Sequence, residues 1–222
     1  MSGAVVKRIG HGGAGAVVKG NTLASFDAAV DIGVDMIEFD VRPCFGELVL
    51  AHGPLEPYFR VCPTLDEALQ HLRQARFAEI ELNVDVKGGD SEAAIVDALR
   101  RHGLASRALV SSRSTGVLDR FRELGRDFHT GISVPPVTAR WGECRSGWRD
   151  VVLEGLARGR WDALMANHKL VGEALVAAVR ERGAEIHCWT VDCRTTVERL
   201  QTLEVSGITT NDPRVFAPLT LG

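Results

Sequence analysis

The feature that most constrains the fold of this chain is a repeated alternation between short apolar segments and amphipathic segments. Residues 80–87 alternate strictly between apolar and polar side chains, which is the period of a β-strand. Leu65, Leu69 and Leu72 repeat at helical spacing directly after a capping-box sequence, Thr64 to Glu67. The same scheme continues along the chain and predicts eight strands, at residues 5–11, 36–41, 80–87, 108–112, 128–134, 163–167, 185–191 and 207–210.

Strands that alternate with helices through short connections indicate a parallel α/β fold. Eight such repeats in 222 residues, with no second compositional block, predict a (β/α)₈ TIM barrel formed by one domain over residues 1–222. Residues 48–51 predict a small hairpin inserted after the second strand, and residues 135–150 a long loop. A doubly wound open sheet stays open as the alternative, because periodicity does not report closure and the eighth helix is missing or vestigial after Pro213.

The composition restricts the kind of partner. The chain is 45% hydrophobic and 25% charged, as is usual for a soluble globular protein, and its net charge of −3 provides no basic field for nucleic acid. The sequence shows no signal peptide and no apolar run that would span a membrane, so we expect a cytoplasmic protein. Five cysteines without a CxxC pair argue against disulfides and against a zinc site. The oligomeric state stays open.

A Glu-x-Asp pair on the second predicted strand is the first sign of chemistry. Because successive side chains of a strand point to opposite faces, Glu38 and Asp40 project together while Ile37, Phe39 and Val41 point the other way. Two carboxylates this close raise each other's pKa unless a cation lies between them. The pair therefore suggests a hard divalent metal, although alone it also fits a solvated edge strand.

In a barrel the reacting groups lie where strands end and the following loops begin. Chemistry-bearing residues at the predicted strand ends come from distant parts of the chain: His11, Glu38, Asp40, Asp85, Lys87, Asn167, His168, Trp189, Asn211 and Asp212. Three carboxylates, histidines and a lysine on one face indicate a metal-assisted phosphate site. Oxygen ligands suit Mg²⁺, Ca²⁺ or Mn²⁺ better than zinc.

Several short motifs resemble those of the glycerophosphodiester phosphodiesterases, which are (β/α)₈ barrels. Each motif is weak alone, but their order and spacing are specific: His11-Gly12-Gly13, Asn21-Thr22, residues 33–41, His52, residues 83–87, 188–191 and 207–213. The resemblance implies metal-dependent hydrolysis of glycerophosphodiesters, which are small-molecule substrates, to glycerol phosphate and an alcohol. By the same resemblance Glu38, Asp40 and Asp85 hold one Mg²⁺ or Ca²⁺, with Mn²⁺ possible. His11 and His52 act as acid and base. Lys87 binds phosphate, and Trp189 lines the substrate groove.

The chain departs from the family pattern at three positions. Gly12 stands where the family usually has an arginine that grips phosphate, and Gly20 where it usually has a glutamate. Asp85 replaces a more usual glutamate. We expect Arg113, or an arginine of the 140–149 loop, to supply the missing phosphate contact.

Other functions remain open from the sequence. One is a lysophospholipase D-like enzyme that forms a cyclic phosphate, and another is a barrel that binds phosphorylated ligands without turning them over. A metal-dependent aldolase or isomerase of sugar phosphates fits the two histidines less well. The nucleophile, either water or the glycerol 2-hydroxyl, is not decided by the sequence.

Overall fold

The computed structural model describes residues 6–135 and 147–217, which form a barrel of parallel strands surrounded by helices. The strands are β1 Lys7–His11, β2 Met36–Cys44, β3 Glu47–Leu50, β4 Glu81–Val86, β5 Ala108–Ser112, β6 His129–Val134, β7 Ala163–Asn167, β8 Glu185–Trp189 and β9 Gly207–Thr210. The helices are α1 Leu23–Ile32, α2 Glu56–Phe59, α3 Leu65–Leu72, α4 Glu92–Arg101, α5 Thr115–Leu124, α6 Trp148–Ala157, α7 Glu173–Arg180 and α8 Arg194–Thr202.

The barrel is closed by its first strand. β1 pairs in parallel with β9 on one side and with β2 on the other, so eight parallel strands form a complete ring. The predicted TIM barrel is therefore confirmed, and the open-sheet alternative is wrong. The remaining strand, β3, pairs antiparallel with β2 outside the ring and forms the predicted hairpin, with Val41 opposite Leu50.

The helix layer packs against the outward side chains of the strands. Phe39 of β2 contacts Phe26 of α1, with ring centroids 5.5 Å apart, and both side chains are fully buried. Because Phe39 faces this layer, Glu38 and Asp40 face the inside of the barrel. The helix α1 itself begins at a capping Thr22 and ends at Gly33, whose φ of 99° suits a residue without a side chain.

The amino-terminal end of the barrel holds an ionic cluster. Lys7 Nζ lies 2.8 Å from a Glu81 oxygen and 3.2 Å from a Glu185 oxygen, and each of these residues is the first of its strand. The other Glu185 oxygen lies 2.7 Å from Nε2 of His187, which is completely buried. The hydrogen bond from His187 is the main reason that the pKa of Glu185 falls to about 2.

Several boundaries differ from the sequence predictions. The strand β8 ends at Trp189 rather than at residue 191, and α6 begins at Trp148, inside the predicted loop of residues 135–150. Residues 136–146 of that loop lie outside the described part of the chain. After β9, the last strand of the ring, a 3₁₀ turn at Pro213–Phe216 stands in place of a following helix, as expected. No helix among residues 6–135 and 147–217 has the length and apolar character needed to cross a bilayer.

Candidate active site

Three carboxylates meet at the carboxyl-terminal end of the barrel. Glu38 and Asp40 lie on β2 and Asp85 on β4, and the parallel register places Asp40 directly beside Asp85. One oxygen from each of these side chains lies within 4.8 Å of the others. Glu38 and Asp40 are buried, and Asp85 is largely so. The alternating pattern of two neighbouring strands therefore produces a compact acidic site.

The loop that follows β1 holds two of these carboxylates in place. The backbone N–H of Gly12 donates to Glu38 Oε2 at 3.0 Å, with Gly12 in a left-handed conformation of φ 57°. A Cβ at this position would lie only 3.0 Å from the backbone nitrogen of Asn21, so the glycine suits this loop. Asn21 donates to Asp40 Oδ2 at 2.8 Å and accepts from the backbone N–H of Asp40 at 3.0 Å. Asn21 is thus a positioning residue as well as a neighbour of the helix cap.

The charges of the site are only partly balanced. Burial, together with the neighbouring charges of Asp40 and Asp85, raises the pKa of Glu38 to about 7 against the opposing effect of His11 and Lys87. Burial likewise raises the pKa of Asp85. Proteins resolve such a surplus of buried negative charge with protons or with a bound cation.

Lys87 supplies part of the balancing charge. Its Nζ lies 2.5 Å from Asp85 Oδ2 and 2.9 Å from Asp40 Oδ1. Burial opposes its protonation, but the charges of these two carboxylates outweigh that effect and raise the pKa of Lys87. Asp40 Oδ1 nevertheless has no hydrogen bond of good geometry from any described residue. The single positive charge of Lys87 does not neutralise three carboxylates, so the site can accept a further cation.

His11 is oriented by a chain of hydrogen bonds that begins at Asp192. The amide nitrogen of Asn211 donates to Asp192 Oδ2 at 2.7 Å, so the amide oxygen faces His11. That oxygen lies 2.7 Å from His11 Nδ1, which must therefore carry a proton. The other ring nitrogen, Nε2, is directed to the carboxylates and lies 3.8 Å from Glu38 Oε2. Burial disfavours charge on His11, but Glu38 and the Asn211 bond outweigh it and raise its pKa.

His52 reaches the same site from the hairpin. Residue 52 follows β3 by two positions, and His52 Nδ1 lies 3.2 Å from Asp40 Oδ2. This hydrogen bond raises the pKa of His52. Burial opposes ionisation of Asp40, but His52 and Lys87 outweigh it and lower the pKa of Asp40. One carboxylate therefore contacts both a histidine and a lysine.

Glu38 and Asp85 open into a cavity of about 300 Å³, and Asp40 lines a recess that shares His11 and His52 with it. Predicted site residues line the cavity at several strand ends, namely His11, Glu38, His52, Asp85, Lys87, Arg113 and Trp189. Arg113 directly follows β5 and is exposed, so its side chain is free to meet a ligand anion. Trp189 ends β8 and is half-buried, as a groove wall would be.

Some residues noted at strand ends do not join this cavity. Asn167 caps a short 3₁₀ turn, and Asp212 pairs with Arg214. His168 belongs to that 3₁₀ turn and is absent from the described cavity wall. Of the loop arginines, Arg149 lies on α6 over the ring of Trp148, at 5.6 Å, while Arg140 and Arg145 fall outside the described residues.

The structure also adds residues that the sequence did not single out. Asp192, which orients Asn211, looked like an ordinary loop acid after a strand. Asn83 lies on β4 directly beside Glu38 and also lines the cavity, and its buried Oδ1 has no hydrogen bond from a described residue. The sequence signals for Asn83 were its position on the polar face of an alternating strand and its place at the start of the motif at residues 83–87.

A barrel that brings carboxylates, two histidines and a lysine together at its strand ends has the residue types of an enzyme that hydrolyses phosphate esters. The chain is a member of the glycerophosphoryl diester phosphodiesterase family, whose model matches residues 11–53 and 49–215. It is accordingly a phosphoric diester hydrolase by family.

Relatives and solved structures agree with this assignment. A Bacillus subtilis (strain 168) protein assigned as a glycerophosphodiester phosphodiesterase is 24% identical, over 92% of this chain and 94% of its own length. The structure of an Oleispira antarctica phosphodiesterase in complex with the product sn-glycerol-3-phosphate has a TM-score of 0.77 at 20% identity, covering 94% of both chains. A glycerophosphodiester phosphodiesterase from Thermotoga maritima has a TM-score of 0.78 at 19% identity, covering 96% of this chain and 97% of its own. At these identities the structures establish a shared fold.

Proposed function

We propose that the protein hydrolyses glycerophosphodiesters to glycerol phosphate and an alcohol in a reaction that depends on a divalent metal ion. The observation that carries this proposal is the meeting of three carboxylates, Lys87 and two histidines at one end of the barrel. The Oleispira antarctica relative, which holds sn-glycerol-3-phosphate, supports the same class of product.

Glu38, Asp40 and Asp85 are the residues that would hold the cation. Their donor set is all oxygen, which suits Mg²⁺ or Ca²⁺, and Mn²⁺ by the same chemistry. The raised pKa of Glu38 and the surplus of three carboxylates over the one lysine that pairs with them both support a bound cation. When bound, such an ion neutralises phosphate oxygens and so favours attack at phosphorus.

The two histidines make different hydrogen bonds, and from these we assign them different roles. In neutral His11 the proton is on Nδ1, toward Asn211, so Nε2 has a lone pair that can take a proton from the attacking water. His52 donates from Nδ1 to an ionised Asp40, and its raised pKa favours the doubly protonated ring. Its Nε2 proton can then pass to the alkoxide of the leaving alcohol. One bond from phosphorus to the head group breaks as one to the water oxygen forms.

Cationic and aromatic side chains complete the proposed site. Lys87 carries its charge next to the carboxylates, where it stabilises the additional negative charge of the five-coordinate transition state. Arg113 is the described arginine on the cavity wall, and we assign it the phosphate contact that Gly12 does not make. Trp189 forms the apolar side of the substrate groove.

Turnover of glycerophosphocholine and glycerophosphoethanolamine tests the proposal. Activity should be absent in EDTA, return with Mg²⁺, Ca²⁺ or Mn²⁺, and be lost in Glu38→Ala, with glycerol phosphate identified by phosphorus NMR. The same spectra distinguish hydrolysis by water from attack by the glycerol 2-hydroxyl, since the latter passes through a cyclic phosphate. Binding of either ester without turnover by any metal-loaded protein would instead indicate a ligand-binding barrel.

A further inference from the structure

Exposed large apolar side chains are concentrated in one short part of the chain. Of the seven such residues in the described ranges, five lie within residues 45–61: Phe45, Leu55, Tyr58, Phe59 and Val61. Phe59 is 84% exposed and Val61 is 96% exposed. Scattered exposed apolar residues are ordinary, but a contiguous group marks a contact surface. We call these five residues the apolar track.

The apolar track lines two adjoining grooves. The first has a volume of about 520 Å³ and is lined mainly by residues of the segment 53–60, including Leu55 and Phe59. The second, of about 450 Å³, shares Phe59 with the first and continues to Phe45 and Tyr58, whose rings meet edge to face with centroids 5.0 Å apart. The grooves thus form one continuous apolar path.

This path begins at the proposed active site. A recess of about 220 Å³ is lined by His11, Asp40 and His52, and it shares Lys19 and Glu56 with the first groove. Lys19 and Glu56 form the boundary between the recess and the groove, and no other described residue lines both. A ligand held at the carboxylates therefore has an open route onto the apolar track.

The segment that carries the track is fixed to the hairpin. Arg60 Nη2 donates to Glu56 Oε2 at 2.8 Å and to the backbone oxygen of Leu50 in β3 at 3.3 Å. The Arg60–Glu56 contact therefore links the two ends of α2 to the hairpin strand and holds the apolar side chains of this segment in place. The apolar track lies on the same side of the active site as His52.

We propose that the site accepts single-chain amphiphilic phosphodiesters of the monoacyl glycerophosphodiester class, with the phosphate at the carboxylates and the acyl chain along the apolar track. This inference rests on the proposed function and specifies its substrate class. A narrow path that starts at the reacting groups fits one chain. A bilayer surface is less well matched, because Lys19 and Arg60 stand beside Glu56 and Glu47 and the chain is acidic overall.

The test compares glycerophosphocholine with lysophosphatidylcholines from hexanoyl to decanoyl, all as monomers below their micelle concentrations. Full burial of a methylene corresponds to about a fourfold gain, so an open groove should give about twofold per methylene in kcat/KM, or roughly 16-fold over the four methylenes from hexanoyl to decanoyl. In Leu55→Ser/Phe59→Ser this ratio should fall to about one. The exposed Val151 of α6 provides a matched control, and Val151→Ser should keep the ratio of the unchanged protein.

A binding measurement keeps the inference separate from catalysis. Calorimetric titration of decanoyl lysophosphatidylcholine in EDTA should show weaker binding to the double variant than to the Val151→Ser control. Turnover that does not vary with chain length, or equal binding by both variants, overturns the inference while leaving glycerophosphodiester hydrolysis intact. Absence of turnover on every substrate contradicts the proposed function. In that case the titration alone tests whether the apolar track binds the acyl chain. Sedimentation with phosphatidylcholine vesicles that requires Leu55 and Phe59, without a chain-length effect, would assign the track to a bilayer and also overturn the inference.

Discussion

Replacing Glu38 by Gln should stabilise the metal-free protein at alkaline pH while removing metal-dependent activity. Burial places the pKa of Glu38 at about 7 in the folded chain, compared with 4.5 as its ordinary value. The fold therefore favours the neutral carboxyl, and stability that is fully present below about pH 4.5 is lost as the pH rises to about 7. At about 1.4 kcal/mol per pKa unit, ionisation of this fully buried group costs about 3 kcal/mol. A neutral amide of the same shape avoids that cost.

Urea unfolding in EDTA, followed by circular dichroism, measures the effect. The free energy of unfolding of Glu38→Gln minus that of the unchanged protein should grow by about 2 to 3 kcal/mol between about pH 5 and pH 8. The control is Glu123→Gln, which removes an exposed carboxylate from α5 and should show no such growth. Saturating Mg²⁺ or Ca²⁺ should add about 3 kcal/mol to the unchanged protein at a hundredfold excess over Kd, and much less to Glu38→Gln.

Two results would refute this reasoning. A stability difference that is the same at pH 5 and pH 8 would mean that burial does not raise the pKa of Glu38 in the folded protein. Equal stabilisation of Glu38→Gln and the unchanged protein by every divalent cation would remove Glu38 from the metal site, whatever its effect on activity.

Three further changes test other parts of the molecule. Asn211→Leu removes the acceptor that orients His11, and we expect a loss of about 10- to 100-fold in kcat with little change in KM, measured as a pH–rate profile; an unaltered profile would exclude the positioning role. Arg113→Ala should raise KM for glycerophosphocholine by about tenfold through loss of a charge-assisted contact, and unchanged KM and kcat would show that Arg113 does not bind phosphate. Glu185→Gln removes a carboxylate with a pKa near 2, so its stabilisation exists above about pH 4.5 and disappears as the pH falls toward about 2. Because this side chain is 44% exposed, solvent screening reduces the expected loss to about 1 kcal/mol at neutral pH, and urea midpoints equal to those of the unchanged protein at neutral pH would contradict it.

The strands could be predicted from the sequence because their side-chain pattern is local. Strict alternation over residues 80–87 places Asn83 and Asp85 on one face, which is how they lie in the barrel. Closure could not be predicted in this way, because an open sheet would show the same alternation. Only the pairing of β1 with β9, about 200 residues apart in sequence, distinguishes the two folds.

The sequence predicted those site residues whose place follows from the alternation of side chains along a strand or from the end of a strand. Glu38, Asp40 and Asp85 meet because neighbouring parallel strands are in register. Asp192 escaped prediction, since its effect on His11 passes through an amide whose orientation depends on a hydrogen bond between two loops. The apolar track escaped for a related reason: apolar residues in an irregular segment look like core until their exposure is known.

The groups that line the cavity come from different parts of the chain. Glu38 lies on β2, Asp85 on β4 and Lys87 just after β4, while His52 belongs to the hairpin attached to β2, so most reacting groups come from the first half of the chain. Arg113 directly follows β5, the neighbour of β4 in the ring, and Trp189 ends β8, so both come later in the chain. We therefore expect that exchanging the loops after these later strands would change which ester fits while the reacting groups keep their places.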